Sequence, residues 1–129
     1  MKQQSLPRLK KKCQEIFNTY IRERDKDKPC ISCGKPNDYK QAGHFFSVRM
    51  YDGLRFNEDN CHSECIRCNG FDDMHLLNYN INLKSRIGDE AFFELNMKAK
   101  DYKINGYRWT RAELLELIEK YKQKIKELK

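Results

Sequence analysis

The chain has 129 residues, 39% hydrophobic and 35% charged, with a formal net charge of +7, which suits one domain with a small core. No apolar run is long enough to span a bilayer, and residues 1–5 lack the apolar stretch of a secretory signal, so the six cysteines are expected to be reduced thiols in a cytoplasmic setting. The positive charge favours a polyanionic partner, nucleic acid above all, against the plainer alternative of a solvated lysine-rich surface.

Leu6, Leu9, Cys13, Ile16, Phe17, Tyr20 and Ile21 recur at spacings of three and four and predict a helix in segment 5–24 with one apolar stripe. Ser5 is placed to cap it, with Pro7 in the first turn. The other face carries Arg8, Lys10, Lys11, Lys12, Arg22 and Arg24, which suits either phosphate contacts or plain solvation. The polar run 25–29 ends in Pro29 and reads as a loop.

Cys30-Ile31-Ser32-Cys33 and Cys65-Ile66-Arg67-Cys68 form two CxxC knuckles. Together they offer the four thiolates of a tetrahedral structural zinc, a better fit to this spacing than a redox set. Gly34 suits the tight turn of the first knuckle. Cys13 is left as a small buried residue, and Cys61 as either core or site. Lys35 to Asp38 is turn material. A strand is predicted over 39–48, a hairpin turn at 50–53 around Asp52-Gly53, a return strand over 54–56 and a loop at 57–60. The second knuckle should lead into a helix that carries Asn69. Strand, turn, strand and helix on a zinc make segment 29–72 a ββα-metal unit. His44, Asn60 and Asn69 fall in the order of an HNH, or His-Me finger, nuclease.

In the C-terminal part, 73–129, Met74, Leu77, Ile81 and Leu83 predict a helix that stops before Gly88. His75 reads as structural. Asp89 caps a second helix expected to run to Ala99, and an aromatic connector follows over 101–109. Thr110-Arg111-Ala112-Glu113 is a capping box that opens a last helix running to about Leu128. The expected fold is a single α+β domain over 1–129. Its zinc-stapled ββα-metal core is flanked by an N-terminal helix and by C-terminal helices.

The succession CxxCG, AGHF, LRF, DNCHxxCxxCN and a capped C-terminal helix resembles the phage NinG/Rap recombination proteins over nearly the whole chain. The core is also similar to the endonuclease VII type of phage resolvase. This resemblance implies a metal-dependent, structure-specific endonuclease cutting branched recombination intermediates such as Holliday junctions and D-loops, in the cytoplasm of a bacterial host. A non-catalytic zinc-ribbon module that binds nucleic acid is the alternative. By resemblance, His44 activates water and Asn69 holds a catalytic Mg²⁺ or Mn²⁺. Many HNH enzymes carry an Asp directly before that histidine, where this chain has Gly43. His62 is the nearest replacement in sequence. Asn60 would orient His44 or brace the loop. Arg49 and Arg55 would contact flanking phosphates in DNA. Symmetric cutting of a four-way junction would take a homodimer on DNA.

Overall fold

A computed structural model of the chain describes residues 4–36, 40–70 and 75–129. The turn expected near Asn37 and Asp38, the strand start at Tyr39 and the helical placement of Met74 lie outside these residues. The order is helix α1 (Leu6–Arg24), strand β1 (Lys40–His44), strand β2 (Cys61–Cys65), a short helix α2 (Ile66–Gly70), then α3 (His75–Ile87), α4 (Asp89–Asn105) and α5 (Arg111–Leu128). Single 3-10 turns cover Asp52–Leu54 and Glu58–Asn60. The class is α+β, with a two-stranded sheet and helices on both of its faces.

The first helix forms as its stripe dictates. Ser5 Oγ accepts from the Arg8 N–H at 3.4 Å, Pro7 lies in the first turn, and Leu9, Cys13, Phe17, Tyr20 and Ile21 are buried. Their partners are Leu114, Ile118 and Tyr121 of α5. Helix α5 runs beside α1 in the same direction: Arg111 donates to the Gln4 carbonyl at one end, and Tyr121 packs on Phe17 and Tyr20 further along. Its start is the expected capping box, Thr110 and Glu113 each bonding the other's backbone N–H.

A second core gathers Ile31, Leu54, Tyr79, Leu83, Leu95 and Ala99 on the other side of the sheet. Ile31 belongs to the first knuckle, Leu54 to the loop, and the rest to α3 and α4. The fourth helix is longer than the sequence indicated. It continues past Ala99 to Asn105 and stops at Gly106, because Tyr102 packs into this second core. Part of the expected connector is therefore helical.

The sheet corrects the expected strand pairing. The first strand ends at His44 rather than Val48, and residues 50–56 form no return strand. Asp52–Leu54 coils into a 3-10 turn instead, with the Asp52 carboxylate accepting from Arg55 Nε at 2.7 Å. The partner of β1 is the stretch just before the second knuckle, β2, paired antiparallel with Gly43 opposite His62 and His44 opposite Cys61. Asn60 explains why the pairing skips the loop. It is fully buried, its Oδ1 accepts from the Phe46 N–H at 2.8 Å, and its Nδ2 donates to the carbonyls of Phe46 and Leu54 at 3.0 and 3.2 Å. Backbone groups that a hairpin would have paired across strands are satisfied by this one side chain.

Between the helix pair and the sheet sits a clamp. Asp25 is fully buried. It accepts from Arg24 Nε and Nη2 at 2.8 and 3.0 Å and from the Ser63 N–H at 3.0 Å. Arg24 also donates to the carbonyls of Glu58 and Cys61. Arg24, which the sequence grouped with the outer basic face, is thus spent on fastening β2 to the end of α1.

Candidate functional site

The two knuckles close on one another. Gly34 takes φ +74°, a value that favours glycine, and turns the chain so that Cys30 and Cys33 face Cys65 and Cys68. All four sulfurs lie within 4.8 Å of one another, and Cys33 Sγ and Cys65 Sγ are 3.9 Å apart. Tetrahedral Zn–S bonds of about 2.3 Å put sulfurs about 3.8 Å apart, so this set can hold a structural zinc ion. The N–H groups of Cys33 and Cys65 point at Cys30 Sγ at 3.5 and 3.4 Å, as suits a thiolate. Cys13 and Cys61 stand apart from the cluster, both buried in the first core. Burial raises both thiols, Cys13 to about 11.

Strand alternation sorts the other candidates onto two faces. Ala42, His44 and Cys61 face α1. Gln41, Gly43, His62 and Glu64 face α2 and α3. Tyr79 of α3 is buried above Gly43, donates its O–H to the Gly43 carbonyl at 2.6 Å, and meets His62 Nδ1 at 3.5 Å. His62 is nearly fully buried, and burial, helped by the Arg24 charge, lowers its pKa to about 3. Its ring is therefore neutral at physiological pH. Asn69 of α2 is exposed and donates to Gln41 Oε1 at 2.8 Å. Glu64 is fully buried and accepts from the Ser32 hydroxyl of the first knuckle. A Cβ placed on Gly43 would lie 1.9 Å from Glu64 Oε1 and 3.1 Å from Asn69 Oδ1. The Glu64 carboxylate therefore fills the space that glycine lacks a side chain to occupy, with Asn69 Oδ1 beside it.

His44 occupies the end of β1. Its Nε2 lies 3.0 Å from the Arg55 carbonyl, and Nδ1 lies 3.8 Å from Cys61 Sγ. A carbonyl only accepts, so Nε2 carries the proton and the lone pair is on Nδ1, facing the buried Cys61 thiol. Burial lowers the ring's pKa against the opposing pull of that bond, which leaves a neutral imidazole of fixed tautomer. His44 also borders a cleft of about 680 Å³ walled by Phe45, Phe46, Ser47, Met50, Leu76 and Asn80 among others. The structure thus places Asn60 on the loop backbone, and His44 and Asn69 on opposite sides of the sheet, with His62 on the Asn69 side.

The two candidate arginines differ. Arg49 is exposed on the turn after β1. Arg55 is half-buried, bonded to Asp52 and to Gln14 Oε1 at 3.3 Å. It lines a groove of about 670 Å³ with Lys10, Lys11, Tyr107, Arg108 and Trp109. Within that groove Asp52 also takes the Lys10 ammonium at 3.1 Å. The sequence reading missed this groove because its walls come from opposite ends of the chain.

The whole chain, residues 1–129, matches the family model described as Bacteriophage Lambda NinG protein. Protein ninG of Escherichia phage lambda is 40% identical over 120 residues, covering 92% of this chain and 56% of that protein. The ninG proteins of Escherichia phage 933W and Salmonella phage P22 are 39% and 38% identical over the same length, with 57% of each covered. The chain thus spans a little over half the length of these relatives. No solved structure matches it. A match along its full length, with relatives from several phages near 40% identity, shows that this chain belongs to the bacteriophage lambda NinG family.

Proposed function

We propose that the chain is a metal-dependent, structure-specific endonuclease of HNH type that cuts branched DNA, such as four-way junctions and D-loops, inside the phage-infected bacterial cytoplasm. The observation that carries the reading is His44. A neutral imidazole with Nε2–H anchored on a backbone carbonyl has Nδ1 as its acceptor nitrogen, which is what a general base for water requires, provided water takes the place of the Cys61 thiol that Nδ1 now faces. It stands at the end of β1 in a strand–strand–helix unit clamped by four cysteines.

Zinc in the four-thiolate cluster would hold the fold and have no open position for substrate. A separate Mg²⁺ or Mn²⁺, when bound, supplies charge neutralisation at the phosphate and the leaving 3′ oxygen. Asn69 and His62, an amide oxygen and a neutral imidazole, the latter favouring Mn²⁺, would hold it from the sheet face opposite His44, so cutting would require the phosphate to lie across the edge of the sheet between cation and base. Asn60 braces the loop on which the Arg55 carbonyl sits and so keeps His44 in its tautomer. The basic groove around Arg55 and the exposed Arg49 would take flanking phosphates. Symmetric resolution of a junction needs two active sites, so two copies are expected on the DNA.

The test is incubation of zinc-loaded protein with labelled duplex, flap, D-loop and four-way junction DNA in Mg²⁺, Mn²⁺ or EDTA. Cleavage of branched substrates that needs the cation and disappears in His44→Ala, with junction binding retained, is the expected result. Absence of cleavage by the unaltered protein under every condition would reject the enzyme reading. It would leave the second reading, a zinc-stapled DNA-binding module, for which the groove of Lys10, Lys11, Arg55 and Arg108 beside Tyr107 and Trp109 speaks.

A further inference from the structure

Helix α4 is apolar on two opposite faces. Phe92, Leu95, Ala99 and Tyr102 turn into the second core. Phe93, Met97 and Ile104 point the other way and are 65%, 49% and 72% exposed. At 3.6 residues per turn these three fall within about 40° of one another, so they make one stripe along the outside of the helix. A helix at a protein surface normally keeps a single apolar stripe and turns charge to water; the second stripe of α4 is left without a partner in the monomer.

The charges beside the stripe say what fits it. The first half of α4, 89–96, carries Asp89, Glu90 and Glu94 and no base, whereas 98–105 carries Lys98, Lys100 and Lys103 with one acid, Asp101. The helix dipole accounts for Asp89, Glu90 and Lys103, which sit in the end turns. Its effect fades within one turn and does not reach Glu94, Lys98 or Lys100. The positions are also symmetric about Met97: Glu90, Phe93 and Glu94 lie as far before it as Ile104, Asp101 and Lys100 lie after it. Such a helix is complementary to its own reversed copy, acidic half against basic half, and repels a parallel one. Asp101 is the one acid out of place, and Asn105 of its own helix donates to it at 2.7 Å.

We propose that a second copy of the chain covers this stripe, the two α4 helices packing antiparallel about a two-fold axis beside Met97. The contact is isologous: Glu90 and Glu94 of each copy flank Lys100 of the other, and the exposed apolar side chains interleave between the helices. The inference rests on the proposed function only for the expectation of two copies, and deepens it by naming the surface on which they meet. Tyr107 and Arg108, which wall the basic groove, follow α4 directly after Gly106. An antiparallel pair therefore carries its two grooves at opposite ends of a 17-residue helix, about 25 Å apart, which suits two arms of one branched DNA. One helix face about 25 Å long and about 10 Å wide is small beside the ~800 Å² per partner of a standard interface, so the free dimer is expected to dissociate in the micromolar range.

Sedimentation equilibrium of the full, zinc-loaded chain, without DNA, is the test. A concentration-dependent monomer–dimer equilibrium is expected. Met97→Asp sets two carboxylates against each other at the axis and should weaken the dimer by about tenfold or more, because like charges across an interface are strongly unfavourable. Glu94→Lys and Lys100→Glu, both at exposed positions, should each weaken self-association, since each puts like charges opposite one another. Mixed in equal amounts, these two variants regain both opposite-charge pairs and should associate as tightly as the unaltered chain. A chain that stays monomeric up to about 1 mM, or a dimer as tight with Met97→Asp as without it, overturns the interface. Failure of the mixture to recover overturns the antiparallel pairing. The measurement contains no DNA, so its failure is separate from that of the nuclease reading: a dimer that cuts nothing keeps the interface and loses the activity, and a monomer that cuts does the reverse.

Discussion

Replacing Asp25 by Ala tests how the strand carrying the candidate site is held. The carboxylate is fully buried and accepts three hydrogen bonds, two from Arg24 and one from the Ser63 N–H of β2. Truncation leaves that N–H and a largely buried guanidinium without their partner. Removing one side of a buried ion pair costs about 3–5 kcal/mol. Arg24 keeps two carbonyl acceptors, Glu58 and Cys61, so a loss near about 3 kcal/mol is expected. Asp25→Asn keeps an acceptor for Ser63 but loses the charge, and should fall between the two proteins. The assay is urea denaturation of zinc-loaded protein followed by fluorescence of the single tryptophan, Trp109, which packs edge-on against Phe56 in the first core. The pH dependence gives a second readout. Burial pushes the Asp25 carboxyl up, but the bonds and charge of Arg24 outweigh it and hold the pKa below the ordinary value. A depressed folded pKa stabilises the protein above the unfolded value of about 3.9 and loses that contribution as pH falls through the folded one. The gap between the unaltered protein and Asp25→Asn should therefore narrow under strong acid. A loss under about 1 kcal/mol for Asp25→Ala would refute the clamp as a determinant of the fold.

Further outcomes follow from other residues. Purified protein should carry one zinc per chain by elemental analysis, and Cys68→Ser should lose it together with the protease resistance of residues 40–70, because ligand assembly and folding are coupled; a folded, zinc-free preparation would contradict this. Asn60→Ala strands the Phe46 N–H and carbonyl, while the Leu54 carbonyl keeps the Asn57 N–H, and should destabilise the chain by about 2–4 kcal/mol, since each orphaned buried group costs about 1–3 kcal/mol; calorimetry measures it. His62→Ala should raise the cation concentration needed for half-maximal cleavage more than it lowers the maximal rate, so overlapping activation curves would remove His62 from the cation site. Neutralising Lys11 and Arg108 together should weaken DNA binding and shallow its salt dependence by about two phosphate contacts; an unchanged salt slope would place the DNA elsewhere.

Periodicity and spacing alone determined much of this protein. The helical stripes of α1 and α5, the caps at Ser5 and Thr110 and the stop before Gly88 are local effects, set by side chains within one or two turns of each other, and the structure has them where the sequence put them. The four-cysteine cluster was equally legible, because two CxxC turns have few other ways to satisfy their thiols. Strand pairing was not. The Asp52-Gly53 signal favoured a hairpin, yet Asn60 reaches back to Phe46 and Leu54, and the strand partner becomes Cys61–Cys65. That choice depends on bonds between residues up to 14 apart in the chain, which no local pattern encodes. The burial of Asp25 and Arg24 likewise depends on β2 arriving beside the end of α1. Tertiary packing also decided which face each candidate occupies: His44, Asn60 and Asn69 follow one another in sequence order, but strand alternation and the loop send their side chains to three different surroundings. Gly43 and Glu64 are the clearest case. In sequence they are a glycine before a histidine and an acid just before a knuckle, 21 residues apart; only the antiparallel register of β1 and β2 puts the carboxylate of one into the space left by the other.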